Sequence, residues 1–176
     1  MSPSKPPATA PAAFLGLGGN QGDRAALLAE ALRRLDRVPG IRVTAVSSAY
    51  ATAPVGPQDQ PEFLNAVAAV RTTLAPGDLL AACLRIEAEL GRVRAGRWGP
   101  RTIDIDVLLY GEGAWTEPGL VIPHPRLTER AFVLQPLAEL APELCLAGQP
   151  IAAWAAAAGT RGVRRLAIPR LWPLQS

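Results

Sequence analysis

Two aspartates, Asp104 and Asp106, sit one residue apart where a basic loop broken by Gly and Pro becomes an apolar run. The stretch reads Arg97-Trp98-Gly99-Pro100-Arg101-Thr102-Ile103-Asp104-Ile105-Asp106-Val107-Leu108-Leu109-Tyr110. On a strand, side chains alternate faces, so both aspartates point one way while Ile103, Ile105, Val107 and Leu109 point the other. Their β-carbons then lie roughly 7 Å apart, from about 3.3 Å of rise per residue. Two carboxylates on one face of a core strand repel each other and need a cationic partner. Arginine is one candidate, and Arg92, Arg94, Arg97 and Arg101 precede the pair together with Trp98. The other is a hard divalent cation such as Mg²⁺, which takes one or two carboxylates and completes its shell with phosphates. Arginines in front of a two-carboxylate strand suit phosphate bridged by Mg²⁺, and this is the favoured reading.

Phe63 and Asn65 form a second constellation, two residues apart in a predicted strand and therefore on one face. Phe63 alone reads as core, but a buried amide must be satisfied. An aromatic platform beside an amide suits the edge of a flat heterocycle. His124 is held between two prolines in Ile122-Pro123-His124-Pro125-Arg126, either as structure or as a hydrogen-bonding group for a substrate. The glycines at Gly16, Gly18 and Gly19 fail the dinucleotide fingerprint, because Gln21 stands where the third glycine belongs. The phosphate-loop lysine is missing too, since Lys5 is the only lysine in the chain. A tight turn into a capped helix accounts for these glycines. Cys83 and Cys145 lie in apolar surroundings and are expected as two buried, reduced thiols.

The elements that position these residues follow from periodicity. Ala12–Leu17 is expected as a strand, followed by a turn, Asp23 as N-cap, and a helix with Leu27, Leu28, Ala31, Leu32 and Leu35 on its apolar stripe. A second strand spans Ile41–Tyr50 and a third Phe63–Arg71, with the Pro/Gly-rich loop 51–60 between them. Pro76 opens a second helix with Leu79, Leu80, Cys83, Leu84, Glu87 and Leu90 along one stripe, and Gly91 closes it. The aspartate strand is the fourth and is expected at the centre of the sheet. The order β-α-β-β-α-β predicts an α+β fold with a ferredoxin-like core: an antiparallel sheet with both helices on one face. Additional C-terminal elements follow: a loop around His124, a helix over Glu129–Leu140, and an alanine-rich helix over Ile151–Ala158.

At 176 residues and 49% hydrophobic, the chain suits one domain with a real core. Residues 12–176 are expected to form it, behind a disordered Pro/Ala-rich tail at residues 1–11. No apolar run approaches the roughly 20 residues that span a bilayer, and the N-terminus lacks the apolar segment of a signal peptide. A cytoplasmic protein with no membrane partner is expected. The formal net charge of +3 fits an anionic small molecule as well as nucleic acid. Two rival readings are a D-x-D metal-dependent nucleotidyltransferase and a non-enzymatic ferredoxin-like RNA-binding module. In the first the glycine loop and the D-x-D lie close in sequence, whereas here two helices and two strands separate them. In the second, strand aromatics stack bases, but the aspartates here repel phosphate unless metal is present.

Taken together, the blocks Gly18-Gly19-Asn20, Val55-Gly56-Pro57-Gln58-Asp59-Gln60-Pro61, Phe63-Leu64-Asn65-Ala66, Gly91-Arg92-Val93-Arg94, Arg97 to Leu108 and Ile122 to Arg126 carry a resemblance. The chain resembles the 6-hydroxymethyl-7,8-dihydropterin pyrophosphokinase family of folate biosynthesis. The resemblance implies transfer of pyrophosphate from MgATP to the hydroxymethyl group of the dihydropterin, releasing AMP. It implies that Asp104 and Asp106 hold two Mg²⁺ ions, and that ATP is the co-substrate. It also implies that Phe63 and Phe132 stack the pterin, and that Asn65 and the backbone of Thr52 to Val55, including Pro54, read its edge. Arg92, Arg97, Trp98 and Arg101 are the implied catalytic residues, with Arg97 and Trp98 on a loop that seals the site. Glu87, Arg92, Arg101, Ile105, His124 and Arg130 are the implied ATP contacts. Leu84, Gly119, Val121 and Pro125 stand where some members place polar or aromatic ATP contacts, so adenosine recognition is expected to rest more on backbone. The partners are the two small substrates, with no nucleic acid, and a monomer is expected.

Overall fold

The computed structural model describes residues 4–54, 59–91, 102–167 and 171–172. The first strand, β1 (Ala12–Gly19), runs through Asn20 into α1 (Arg24–Arg37). Asp23 caps α1 by accepting the Ala26 N–H at 3.1 Å. Removing that cap with Asp23→Ala is expected to cost about 1 kcal/mol, read as a melting temperature about 2–4 °C lower. An unchanged value in thermal melts shows the cap to be silent. Leu28, Ala31, Leu32 and Leu35 fill the core face of α1, and Leu27 is only half-buried.

The expected second strand is broken into β2 (Ile41–Val46) and β3 (Tyr50–Thr52), both paired antiparallel to β4 (Phe63–Thr72). A bulge at Thr44, between the pairs Val43–Val70 and Ala45–Ala69, disturbs the ladder first. At the break, the Ser47 N–H donates to the Val67 carbonyl and the Val67 N–H donates to Ser47 Oγ, both at 2.9 Å. The ladder is thus interrupted without stranding a backbone group.

Helix α2 (Pro76–Glu89) leads towards β5 (Asp104–Tyr110). Beyond it come the hairpin β6 (Trp115–Glu117) and β7 (Leu120–Ile122), then α3 (Ala131–Leu140). A short pair, β8 (Cys145–Leu146) and β9 (Gln149–Pro150), precedes α4 (Ile151–Ala158) and β10 (Val163–Arg165). The helix expected over Glu129–Leu140 begins two residues later, after a 3-10 turn at Leu127–Glu129. The short pairings β6–β7 and β8–β9, and strand β10 beside β3, lie in stretches that periodicity left irregular.

The chain is α+β, with an antiparallel main sheet in the order β10-β3-β4-β1-β5 and β2 beside β3 along β4. The aspartate strand β5 therefore ends the sheet and is not central, as the sequence reading had it. Helices α1 and α2 cover one face together, over Leu15, Leu17, Leu64, Ala66, Ile103, Ile105 and Val107. On the other face, α3 and α4 pack over Phe14, Val67, Leu108 and Leu109.

Leu109 was expected opposite the aspartates. A bulge places Leu15 against Val107 but Phe14 against Leu109, so Leu108 is the extra residue and both leucines join the aspartate-side core. Cys83 is buried, and burial pushes its thiol up to about 12, with Glu87 and Asp106 adding to the effect. Cys145 is exposed, against expectation, because it lies on the small β8–β9 pair rather than in the core.

Residues 4–11, expected as a disordered tail, lie along the body of the fold. The Ser4 carbonyl accepts the Gly40 N–H at 3.1 Å, and Lys5 Nζ pairs with Asp36 Oδ1 at 3.0 Å. Arg71 Nη1 donates to the Ala10 carbonyl at 2.8 Å. No described helix is long and apolar enough to cross a membrane.

Candidate active site

The antiparallel registers align one row of residues across four strands. Tyr50 pairs with Asn65, Asn65 with Gly18, and Gly18 with Asp104. One step along, Val67, Gly16 and Asp106 form the next row. All share the face that α3 and α4 partly cover, because β4 keeps its period of two: Leu64, Ala66, Ala68 and Val70 enter the opposite core. Asn65 and Asp104 are two strand spacings apart, about 10 Å. The sheet thus carries an amide on one side of a bare glycine and a carboxylate pair on the other.

On the amide side, Asn65 is buried and its Nδ2 donates to Thr52 Oγ1, also buried, at 2.7 Å. That bond turns Oδ1 of Asn65 towards β1. A carboxamide offers two N–H donors and a carbonyl, and Thr52 uses one donor, which suits a ring edge of alternating donors and acceptors. Phe63 pairs with Thr52 and is half-buried, as is Pro54 just beyond β3. Phe132 sits half-buried in the first turn of α3, packed against the core of this same face. The Arg130 guanidinium lies 5.6 Å from its ring centre.

Tyr50, at the end of the row, donates its hydroxyl to Glu139 Oε1 at 2.6 Å, and the Ser48 N–H donates to Glu139 Oε2 at 2.7 Å. Burial, reinforced by the Glu139 carboxylate, pushes the Tyr50 phenol well above its ordinary value, so it remains a donor. This clamp fixes the last turn of α3 to β3 while the first turn carries Phe132. Sequence reasoning missed it, since the partners are 89 residues apart and no local pattern links them.

On the carboxylate side, Asp104 is half-buried and Asp106 exposed. The outer edge of β5 is closed by side-chain and loop donors and acceptors. Glu87, buried at 4% exposure on α2, accepts the Ile105 N–H at 2.7 Å. The His124 N–H donates to the Leu108 carbonyl at 2.9 Å, which pins the His124 loop to the same strand. Ile105 itself points into the α1–α2 core, away from the aspartate face.

His124 Nδ1 accepts the Arg126 N–H at 3.2 Å, so the neutral ring carries its proton on Nε2. Burial holds the imidazole below its ordinary pKa; Asp106 opposes this, and Arg130 and Arg126 add to it. Burial likewise lowers Arg130, while Asp106 and Asp104 pull it back up. His124, Arg130 and the two aspartates thus share one electrostatic neighbourhood, with Arg130 still charged. Leu84 and Val121 are exposed apolar side chains, at 39% and 45%, with no polar group to offer a base.

Among the described residues, no group of three or more His, Cys, Asp or Glu side chains could hold a metal. The available donor set is two carboxylates on one face, all oxygen, with the rest of a coordination shell left to other oxygens. That fits a hard divalent cation completed by phosphate and water, and does not fit a structural zinc site. Val55, Arg92, Arg97, Trp98 and Arg101 lie outside the described residues.

The family model for 7,8-dihydro-6-hydroxymethylpterin-pyrophosphokinase (HPPK) matches residues 14–142. A Methylorubrum extorquens protein named 2-amino-4-hydroxy-6-hydroxymethyldihydropteridine pyrophosphokinase is 52% identical over 154 residues, covering 88% of this chain and 98% of that one. A Pseudomonas aeruginosa protein of the same name is 47% identical over 154 residues, covering 87% and 95%. Among solved structures, an HPPK-DHPS in complex with substrates superposes with a TM-score of 0.71 at 13% identity, over 90% of this chain and 47% of that one. A Plasmodium falciparum HPPK-DHPS with pteroate gives 0.69 at 17% identity, over 88% and 46%. The chain spans about half the length of those solved chains, and this likeness bears on the fold alone. With the aspartate pair, the Asn65 row and the His124 loop set on one face of that fold, and with close relatives matched along nearly their whole length, the chain belongs to the 7,8-dihydro-6-hydroxymethylpterin-pyrophosphokinase family.

Proposed function

We propose that the two ends of the Asn65–Gly18–Asp104 row hold the two substrates of one phosphoryl-transfer reaction. The chain is an ATP-dependent diphosphokinase that transfers pyrophosphate to 6-hydroxymethyl-7,8-dihydropterin in folate biosynthesis. In the proposed arrangement the pterin lies between Phe63 and Phe132, and Asn65, Thr52 and the backbone from Thr52 through Pro54 to Val55 read its edge. Its hydroxymethyl arm then points across Gly18 towards Asp104. The single observation that supports this most is the shared row, because it sets a ring-edge amide and a metal-type carboxylate about 10 Å apart on one rigid sheet.

Asp104 and Asp106 are the residues to hold Mg²⁺, as two ions in this proposal. A divalent cation held by the two carboxylates would supply neutralisation of the phosphate charge during transfer. The side chains do the rest by position. His124 offers a neutral Nε2–H donor, Arg130 keeps a fixed positive charge beside the aspartates, and the buried Glu87 holds β5 in register. From the family motif alone, Arg92 and Arg101 are assigned to the phosphates and Arg97 and Trp98 to the loop that seals the site, and Ile105 contributes to the ATP site through its strand. Holding the alcohol in line with the β-phosphorus and neutralising charge accounts for the acceleration without a dedicated general base. The exposed apolar Leu84 and Val121 leave the base of ATP to backbone contacts.

The order β5-β1-β4-β2, antiparallel throughout, supports reading the core as the ferredoxin-like split β-α-β arrangement. Small molecules are the proposed partners, and a cytoplasmic monomer without nucleic acid is part of the same proposal.

Incubation with ATP, Mg²⁺ and 6-hydroxymethyl-7,8-dihydropterin is expected to yield AMP and the pterin diphosphate, separated and identified by chromatography. ADP as the nucleotide product, or no turnover by folded protein, overturns the proposal.

A further inference from the structure

We infer that Gly18 is a positioning residue for the pterin: its missing side chain is what lets Asn65 face the substrate. This deepens the function proposed above and rests on Asn65 reading the pterin edge. A β-carbon built on Gly18 falls 2.4 Å from Asn65 Oδ1. That is far inside the roughly 3.5–4.0 Å optimum for non-bonded heavy atoms. Asn65 has little room to yield, since its Nδ2 is bonded to Thr52 Oγ1 at 2.7 Å and both residues are buried at 8% exposure. A half-turn of the amide lets the Thr52 hydroxyl donate to Oδ1 but only puts Nδ2 where Oδ1 stood, and any smaller turn breaks the bond to Thr52.

The usual reasons for a glycine do not apply at this position. Gly18 is not among the glycines with positive φ, so an alanine is compatible with its backbone. It lies inside β1, a strand paired on both sides, where glycine weakens the ladder and a side chain strengthens it. Packing and backbone preference therefore both favour a larger residue, and the Asn65 carbonyl alone excludes it. Gly16, two residues earlier on the same face, makes the contrast: a β-carbon there meets the Leu108 side chain at 3.5 Å, an ordinary contact.

The register gives the exclusion its consequence. Gly18 stands between Asn65 and Asp104. A methyl group there acts through Asn65: it displaces the amide that reads the ring edge. Pterin binding suffers first, while the ATP side, beyond β1, is left in place.

A double-mutant cycle tests this. Gly18→Ala is expected to raise the pterin KM at least tenfold and to leave the ATP KM within twofold. Gly16→Ala is expected to leave both within twofold. In an Asn65→Ala background, where the clashing carbonyl is gone, Gly18→Ala is expected to add less than a twofold further change. A substrate-free measurement runs beside it: the Asn65 side-chain amide resonances, assigned by NMR, move in Gly18→Ala and stay in place in Gly16→Ala. An unshifted Asn65 amide with an unchanged pterin KM overturns the inference, as does a Gly18→Ala penalty that persists in full without the Asn65 carboxamide. If Gly18→Ala alone fails to fold, recovery of folding in the double variant supports the inference and failure of both overturns it. If the wild-type protein forms no AMP, the proposed function falls, and the Asn65 amide resonances alone decide the role of Gly18.

Discussion

Asp106→Asn is expected to lower the rate of AMP formation by about a thousandfold or more while leaving the fold intact. Asparagine keeps the shape of the side chain and removes one of the two charges on the β5 face. Divalent-ion stabilisation of a transferring phosphoryl group is worth several kcal/mol, and each 1.4 kcal/mol is about tenfold in rate. Loss of about 4 kcal/mol thus gives the expected factor. Asp106 is exposed, so the change buries no unpaired group, and the relief of repulsion with Asp104 offsets the attraction to Arg130 that is given up. The melting temperature without nucleotide is expected to stay within a few degrees. Asp104→Asn is expected to act the same way on rate. Turnover above about a tenth of wild type in either variant, at saturating Mg²⁺ and substrates, sinks the assignment of the pair as the metal floor.

The residues in that argument were readable from sequence for a physical reason: β4 and the first half of β5 are regular strands, and alternation survives wherever a ladder is unbroken. Alternation puts Phe63, Asn65 and Val67 on one face and Leu64 and Ala66 on the other, and Val67 and the Leu64–Ala66 pair do enter opposite cores. Leu109 came out wrong because Val107-Leu108-Leu109 is apolar throughout, and nothing in such a run marks the bulge at Leu108. The break between β2 and β3 was hidden in Ser47-Ser48, small polar residues that a strand edge also tolerates. Its cause is tertiary: Ser47 satisfies both backbone groups of Val67. Asp104 and Asp106 were placed on a central strand because the apolar flanks suggest cover on both sides. The flanks are covered, but β5 ends the sheet, and α2 and the His124 loop supply the cover. The sequence around Gly18 looks like a turn, and only the register reveals which side chain stands beside that glycine. Glu87 is legible in the sequence. A carboxylate inside the apolar stripe of an amphipathic helix must find a buried donor, and the nearest strand edge supplies one.

That donor makes Glu87 the other sensitive position. Glu87 accepts the Ile105 N–H at 2.7 Å while buried at 4% exposure, and Ile105 lies between the two aspartates. A hydrogen bond to a charged group contributes about 1.5–3 kcal/mol, and a buried N–H left without a partner costs about 1–3 kcal/mol. These describe the same loss from two sides, so Glu87→Ala is expected to destabilise the substrate-free protein by about 2–3 kcal/mol, allowing for the small cavity left behind. For a chain of this size that is a fall in melting temperature of roughly 4–12 °C. Glu87→Gln keeps an acceptor oxygen at the same reach and is expected to retain at least half of the lost stability. The comparison separates two roles. A residue that touched only ATP would raise the ATP KM on truncation and leave the substrate-free melting temperature alone. A residue that anchors the edge of β5 lowers that temperature first, and then lowers kcat because the aspartate strand loses its register against α2. Calorimetry of the substrate-free variants, followed by their kinetics, distinguishes the two. An unchanged melting temperature for Glu87→Ala removes Glu87 from the architecture of the site, whereas a large fall that glutamine partly restores makes the helix–strand bond the anchor of the strand that carries both aspartates.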